Sequence, residues 1–389
     1  MKVREVSGSG ASRPRSAGWQ SPVPQARLIR GRAQLLRALQ AAEDLFEHTR
    51  APVCARALWV STWLAAVPAV DPVAVVVEAG DRLTGLACLA VSRRGPLRTV
   101  TLAADGPSDY GWLPARDAAS AAALADGVAD LLGTVRRPWR LRLSQLPLHD
   151  PVAARLLAVL PGARTVPGQG CPQLTFGPER VLERHLSASG RRSARHARTR
   201  LAASGHSVRV ERTSDPAAVR CLLPDLVAMH RARDHSRGRR SDLDDDTRRL
   251  FYIRVICRLA DAGAIDVPTL WLDDRLAAFF VGIRDGDTYR SWDGRISSDW
   301  PHLPLGRVLR TELLAALLAD PAVAGVDWMR GELQHKMHAV SHVLPTEHLL
   351  AESSPPVRAA GDCATAARRI LRAATPDRVR HWIRGSRLA

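Results

Sequence analysis

The sequence predicts an α+β architecture built from two similar domains. Three observations carry that expectation. At 389 residues the chain is long for one core, at roughly 100–200 residues per domain. The order strand, turn, strand, helix, strand occurs twice along it. A Gly/Pro-rich join, "LPGARTVPGQGCPQ", separates the two occurrences. The apolar fraction, 46%, is ordinary for a globular protein and allows a large packed core.

In the first half, "ARLIRGRAQLLRALQAAEDLFEHT" has the helical spacing of Leu35, Leu36, Leu39 and Ala42, and "VSTWLAAV" reads as a further short helix. The period then changes. Val73 to Val77 is a buried-strand run, Gly80-Asp81 a turn, Leu83 to Val91 the returning strand, and Leu97 to Leu102 a third strand. "ARDAASAAALADGVADLLGTV" is an amphipathic helix and "PWRLRLSQL" alternates as a strand.

The second half repeats the plan. "DPAAVRCLLPDLVAMHRARD" and "DDDTRRLFYIRVICRLADAG" read as helices, the second with an acidic first turn suited to its dipole. "VPTLWLDDRLAAFFVGIRDGDTYRSWDG" is a strand meander turning at Asp273-Asp274 and Asp285-Gly286. "PLGRVLRTELLAALLAD" is a helix and "VAGVDWM" the closing strand. The expected division is a disordered lead over 1–24, domains over 25–177 and 178–355, and a basic helical tail over 356–389. In that tail, residues 357 to 389 hold eight arginines against two aspartates. The tail is either a helical segment docked on its own domain or an anion-binding arm.

The net charge of +17 creates a field that attracts anions, whether nucleic acid, anionic lipid or phosphate-bearing small molecules. The same Arg-rich, Lys-poor composition also arises from a high-GC coding sequence. The six cysteines are scattered without C-x-x-C pairs, which fits reduced thiols in the cytoplasm and offers no metal-ligand spacing. The Ser/Gly/Pro/Arg-rich start has no apolar core of a signal peptide, and no apolar run is long enough for a membrane span.

Four short stretches carry a family likeness: "GPSDYGW" (106–112), "HLSASGRRSARHARTRLAASG", "MHRARD", and "VDWMRGELQHKMH". Together with the two-domain order, they resemble the GNAT acyltransferase superfamily. The specific resemblance is to the tandem-domain CelD/BcsL-like branch, which is related in architecture to Fem-type peptidyl transferases. The likeness covers roughly residues 50 to 350. The last stretch is the most specific, being similar to a closing Asp-Phe-x-Arg-Gly-x-x-x-Tyr-Lys pattern, with His335 in place of Tyr. "MHRARD" has Asp234 where the family has Trp. The resemblance implies two tandem GNAT-like domains, each a mixed, mostly antiparallel sheet flanked by helices, and an acyl-CoA donor.

Lys336 and Lys2 are the only lysines in the chain, and Lys336 stands where the family pattern has its lysine. A compact ammonium with three rotatable donors can meet a phosphate or a developing oxyanion, whereas a guanidinium is bulkier and fixed in geometry. For acid/base work the neighbouring candidates are Asp327, Glu332, His335 and Asp293, with His335 suited to proton transfer near neutral pH. The donor cradle implied by the resemblance is Gly306 with Arg307 at a helix start, although the full R-x-x-G-x-G/A pattern is missing. A splayed strand near Ser291 and Trp292, with Arg330, completes the cofactor side. Arg191, Arg195 and Arg198 recur at i, i+4 and i+7, a face that an anion could cover. His230 and Arg233 are companions, and Asp109 and Tyr110 match the family word that would line an acceptor cleft.

Three functions compete. The first is N-acyl transfer from acyl-CoA to an amine of a small metabolite or amino sugar. The second keeps the fold and takes aminoacyl-tRNA as donor. The third is a non-catalytic protein that binds anions or nucleic acid. The sequence contains no recognisable nucleic-acid motif, and its tryptophans are not arranged as a stacking platform.

Overall fold

The computed structural model of the chain describes residues 22–359 and residue 363. The expected lead and basic tail therefore lie almost wholly outside the described residues. The elements of the first half are β1 (Gln25–Arg30), α1 (Arg32–Ala41), α2 (Glu43–His48), α3 (Ala57–Ala66), β2 (Asp71–Ala79), β3 (Arg82–Arg94), β4 (Leu97–Leu102), α4 (Ala118–Thr134), β5 (Trp139–Pro147), α5 (Pro151–Val159) and β6 (Arg164–Pro167). Then follow β7 (Cys171–Thr175), α6 (Leu182–His185), α7 (Ala188–Ala202), β8 (Val208–Thr213), α8 (Pro216–Ser236), α9 (Asp246–Asp261), β9 (Ile265–Leu272), β10 (Arg275–Asp285), β11 (Thr288–Ile296), α10 (Leu305–Ala319), β12 (Gly325–Asp327), β13 (His342–Leu344) and β14 (Thr346–Glu352).

One expected helix begins late. Residues 25–30 pair antiparallel with β2, and Gly31, at φ 91°, breaks the strand before α1. Elsewhere local chemistry explains the boundaries. Asp117, Ser187, Asp215 and Asp245 each cap a helix by accepting a backbone N–H three residues on. Asp273 and Asp274 both adopt positive φ, as a two-residue hairpin with the right twist requires.

The two sheets repeat one plan. The first runs β1-β2-β3-β4-β5-β14-β6 and the second, read from its other edge, β8-β9-β10-β11-β12-β7-β13. In each, four antiparallel strands are followed by one parallel pair, β4 with β5 and β11 with β12. A helix makes each parallel crossover, α4 in the first and α10 in the second. The architecture is thus two tandem GNAT-like domains.

Sheet membership does not follow the boundary between 177 and 178. β7 comes from the first segment yet lies in the second sheet, and β14 comes from the second segment yet pairs with β5 and β6. The hydrophobic core also crosses the junction. Trp59 on α3 meets Phe251 on α9 and Trp292 on β11 edge-on, at centroid distances of 5.4 and 5.0 Å. Arg258 on α9 donates to Ser61 and Thr62 on α3, both at 2.8 Å.

Candidate active site

The parallel pairing of β11 with β12 is short. It covers Thr288–Gly325, Tyr289–Val326 and Arg290–Asp327, after which β11 continues to Ile296 paired only with β10. Among the described residues, no strand pairs with the other edge of β11 over residues 291–296. A register shift sets Gly282 opposite Ser291 and Val281 opposite Asp293, leaving Trp292 without a cross-strand partner. The result is a splayed edge with no strand paired along it among the described residues, beside the start of α10, where the Gly294 carbonyl accepts the Arg295 guanidinium at 2.9 Å. That helix begins on Pro304 with no side-chain cap. Gly306 packs there against Ile296, whose Cδ1 would lie 2.3 Å from a Cβ at that position and would have to shift to make room for one.

The equivalent place in the first sheet is filled. β4 pairs with β5 only as far as Thr101–Arg142. Beyond it, Gly111 N–H donates to the Gln145 carbonyl at 2.9 Å. A Cβ on Gly111 would lie 2.2 Å from the Ser144 carbonyl oxygen, so this close approach requires glycine.

At the mouth of the open splay stands Asp327, fully buried. It accepts the Tyr110 hydroxyl at 2.7 Å, the Arg290 guanidinium at 2.5 Å and the Met329 N–H at 2.7 Å. Asp327 therefore pairs with Arg290, and Tyr110 ties it to the first domain. Arg290 also donates to Asp285 at 2.6 Å, and Asp285 accepts the Val53 N–H at 2.9 Å. Burial lowers the Arg290 pKa, but Asp327 and Asp285 outweigh it and hold the group above its ordinary range. Burial and the Asp327 charge push the Tyr110 hydroxyl far up, so it remains a donor.

Lys336 lies in the following loop, half-buried. Its ammonium donates to the Arg330 carbonyl at 2.8 Å and the Met329 carbonyl at 3.2 Å. Those carbonyls flank a turn in which Met329 and Gly331 both have positive φ. Burial lowers the Lys336 pKa, while the Asp109 carboxylate across the domain junction opposes that shift. Arg330 pairs with Asp109 at 3.2 Å and donates to the Gly106 carbonyl at 3.3 Å. Burial pushes the Asp109 carboxyl up to about 6, against the pull of Arg330 and Lys336. The geometry thus brings together Asp109, Tyr110, Asp327, Arg330 and Lys336 at the junction.

The Asp109 shift has a sign. A carboxyl raised from 3.8 to about 6 adds stability below pH 3.8 and loses it as pH climbs through 6. Two pH units correspond to about 3 kcal/mol. Asp109→Asn should therefore flatten the fall in melting temperature between pH 4.5 and 7, by a few degrees. Parallel melting curves for variant and wild type across that range would refute the assignment.

The other candidates separate into further groups. Asp293 accepts the Tyr252 hydroxyl at 2.9 Å and Arg295 at 2.6 Å, with buried His230 3.9 Å away, so it belongs to a cluster between β11, α8 and α9. Burial lowers the His230 pKa. Arg233 sits nearby, its pKa lowered by burial and by Arg237, Arg239 and Arg295. Glu332 is exposed and lies against the Gly170 backbone, where a Cβ would come within 2.5 Å of its Oε1. His335 is not poised near neutrality as expected. Burial and the cations Arg310, Lys336 and Arg307 push it down to about 4.

The arginine face of α7 is not an open row. Arg198 pairs with Glu312 on α10 at 2.8 Å and Arg191 donates to the Leu186 carbonyl at 2.7 Å, while Arg195 and Arg198 both remain exposed. Glu312 thus supplies one carboxylate to this face, at Arg198.

Sequence reading missed Arg290, Asp285, Gln173 and Arg310. Gln173 donates to the Tyr110 hydroxyl at 3.4 Å from β7. Only Arg310 left a signal. At i±3 and i±4 it has Gly306, Arg307, Leu313 and Leu314, so no helical neighbour could pair with it.

Comparison with known proteins now bears on this geometry. Residues 188–337 match the family described as Acetyltransferase (GNAT) domain. FemX superposes with a TM-score of 0.59 at 9% identity, covering 85% of this chain and 98% of that one. The C-terminal domain of a putative lysylphosphatidylglycerol synthetase from Agrobacterium fabrum gives 0.50 at 11% identity, covering 81% and 92%. L-PGS from Bacillus licheniformis gives 0.50 at 13%, covering 81% and 94%. These identities speak for the fold alone. No curated protein matches the chain. Among the described residues, no helix is long and apolar enough to cross a membrane. The chain is therefore a GNAT-fold protein of Fem-like architecture, two tandem GNAT-like domains with the acetyltransferase family matched in the second.

Proposed function

We propose that the protein is an N-acyltransferase whose second domain holds an acyl-CoA donor and whose domain junction receives the amine of a small metabolite or amino sugar. One observation carries the reading: the splayed edge of β11 is open next to the uncapped start of α10, while its counterpart beside β5 is plugged by Gly111. An open strand edge can hydrogen-bond the amides of an extended donor arm, and free N–H groups at a helix start favour its phosphates. Only one of the two domains offers both.

At the junction the amine nitrogen attacks the thioester carbon, the C–S bond breaks, and the sulfur leaves as thiolate. Asp109 takes the amine proton and can return it to the thiolate. Lys336, already aimed by two carbonyls, offers its remaining N–H to the oxygen that becomes negative. Tyr110, Asp327 and Arg290 hold the two domains in register.

A second reading changes the donor to aminoacyl-tRNA. It is favoured by the +17 charge, by the missing glycine pattern before Gly306, and by neighbours that include FemX and a lysylphosphatidylglycerol synthetase domain. Thermal stabilisation separates the two. Acetyl-CoA at saturating concentration should raise the melting temperature by several degrees at physiological salt, with uncharged tRNA giving no shift that survives that salt. A salt-resistant shift with tRNA and none with acetyl-CoA would replace the first reading by the second. No shift with either would remove both.

A further inference from the structure

An edge strand left bare offers its outward backbone groups to any strand that arrives. The outer edges of the two sheets are not alike in this respect. β6 is four residues ending in Pro167, and β13 is three residues long. β1, QARLIR, carries arginines and no carboxylate, so a copy of itself would bring only like charge. β8, VRVERT, alternates apolar with charged residues of both signs. Among the described residues no strand pairs with its outer edge, and residues 208–212 are all exposed, Val208 at 40% and Val210 at 39%. Natural sheets avoid exposed valines on a bare, regular edge unless a strand covers them.

The backbone of β8 dictates how a strand can join it. The Ser207 carbonyl accepts the Asp273 N–H at 3.0 Å, and the Ser207 N–H donates to the Asp273 carboxylate at 2.9 Å, so both groups face the β9 side. The ladder from Val208–Leu272 to Thr213–Val267 then runs without a shift. By alternation Arg209, Glu211 and Thr213 turn their backbone groups to β9, while Val208, Val210 and Arg212 turn theirs outward. An antiparallel second copy, related by a two-fold axis at Val210, sets Val210 against Val210 and Val208 against Arg212. Each of these pairs can exchange both hydrogen bonds. The same register sets Arg209 opposite Glu211 of the second copy on both sides of the axis, in the pairs whose side chains approach most closely. Within one copy Arg209 and Glu211 reach each other along the strand, and Arg209 lies 3.5 Å from Asp274. Association therefore exchanges each intramolecular pair for an intermolecular one. Glu211 also lines a groove between β8 and α8 together with Asp225, so the arriving guanidinium enters an acidic setting. The groove's own cation, Arg212, is already held by Asp266 at 3.0 Å.

We propose that β8 is a self-association edge, on which a second copy of this chain docks antiparallel about Val210 and joins the two second-domain sheets into one. The paired stretch is short, so the dimer is weak and concentration-dependent. The net charge of +17 opposes it until salt shortens the reach of that field to about 8 Å. The inference is independent of the transferase reading and of either donor.

The test is sedimentation velocity of the full chain at physiological salt, over about 1 to 300 μM. Wild type should pass from monomer towards dimer across that range. Val210→Lys, which sets two ammonium groups on the axis, should stay monomeric while melting like wild type, since the side chain is at the surface. Glu211→Arg and Arg209→Glu each oppose like charges and should each weaken association at least tenfold. An equimolar mixture of these two variants should recover dimer, because only the mixed pair restores arginine opposite glutamate at both positions. A wild type that remains monomeric throughout overturns the proposal and leaves the edge to a strand of another protein. A dimer that persists in Val210→Lys overturns it as well, because another face must then hold the copies. Single charge variants that associate like wild type, or a mixture that fails to recover, overturn the register and the proposal with it.

Discussion

Lys336→Arg is expected to lower kcat/KM by roughly 10²–10³-fold, the size seen when one preorganised oxyanion donor is lost. The fold and donor affinity should be unchanged. The ammonium contacts the carbonyls of Met329 and Arg330 at 3.2 and 2.8 Å, both from one side, and three tetrahedral N–H groups leave one free toward the junction. A guanidinium is planar and cannot reproduce two convergent carbonyl contacts while sending a further donor out of their plane. The measurement is steady-state turnover with whichever donor stabilises the protein, alongside calorimetric donor affinity. Wild-type turnover in the arginine variant would end the role assigned to this residue. An equal loss of donor affinity would make Lys336 a binding group instead.

Asp327→Asn carries the largest expected cost in stability, about 3–5 kcal/mol, as for other broken buried ion pairs. Asp327 has no exposed surface and accepts three donors, of which Arg290 is itself mostly buried. The amide removes the negative charge, leaves Arg290 with Asp285 alone, and turns two hydrogens toward existing donors. At about 1 °C per kcal/mol for a chain of this size, the melting temperature should fall by roughly 5 °C. Tyr110→Phe provides the contrast, since it removes one hydrogen bond to that carboxylate but no charge and should cost about 1.5–3 kcal/mol. If calorimetry shows Asp327→Asn melting within 2 °C of wild type, the network is not what joins the domains.

Much of the fold was legible because it depends on local period. The runs from Val73 to Val91 and from Ile265 to Ile296 alternate or stay apolar over long stretches, and the helices carry their caps in sequence. What escaped was non-local. β7 is five residues with a proline inside it, and β14 is seven residues of mixed polarity, and neither has a local reason to choose the distant sheet. β1 directly precedes a helical spacing, and only Gly31 in "RGR" marks the break between strand and helix. At the site, the words around Asp109 and residues 327–336 pointed to groups that do meet across the junction. Arg290 stayed invisible, because its two aspartate partners lie five residues back in a hairpin and 37 residues on in a different strand. At His335, burial, joined by the cations around it that include Arg310, pushes the imidazole down, and neither influence can be read from spacing.

The exchange of β7 and β14 has a consequence for how the molecule comes into being. On the ribosome, the opening sheet must wait with a gap between β5 and β6 until residue 352 has emerged, 185 residues after the end of β6 at residue 167. The later sheet, in turn, is built around a strand delivered early. Each half carries a piece the other needs, so the two are laced like a pair of boots tied together, and the half made first is the last to be completed.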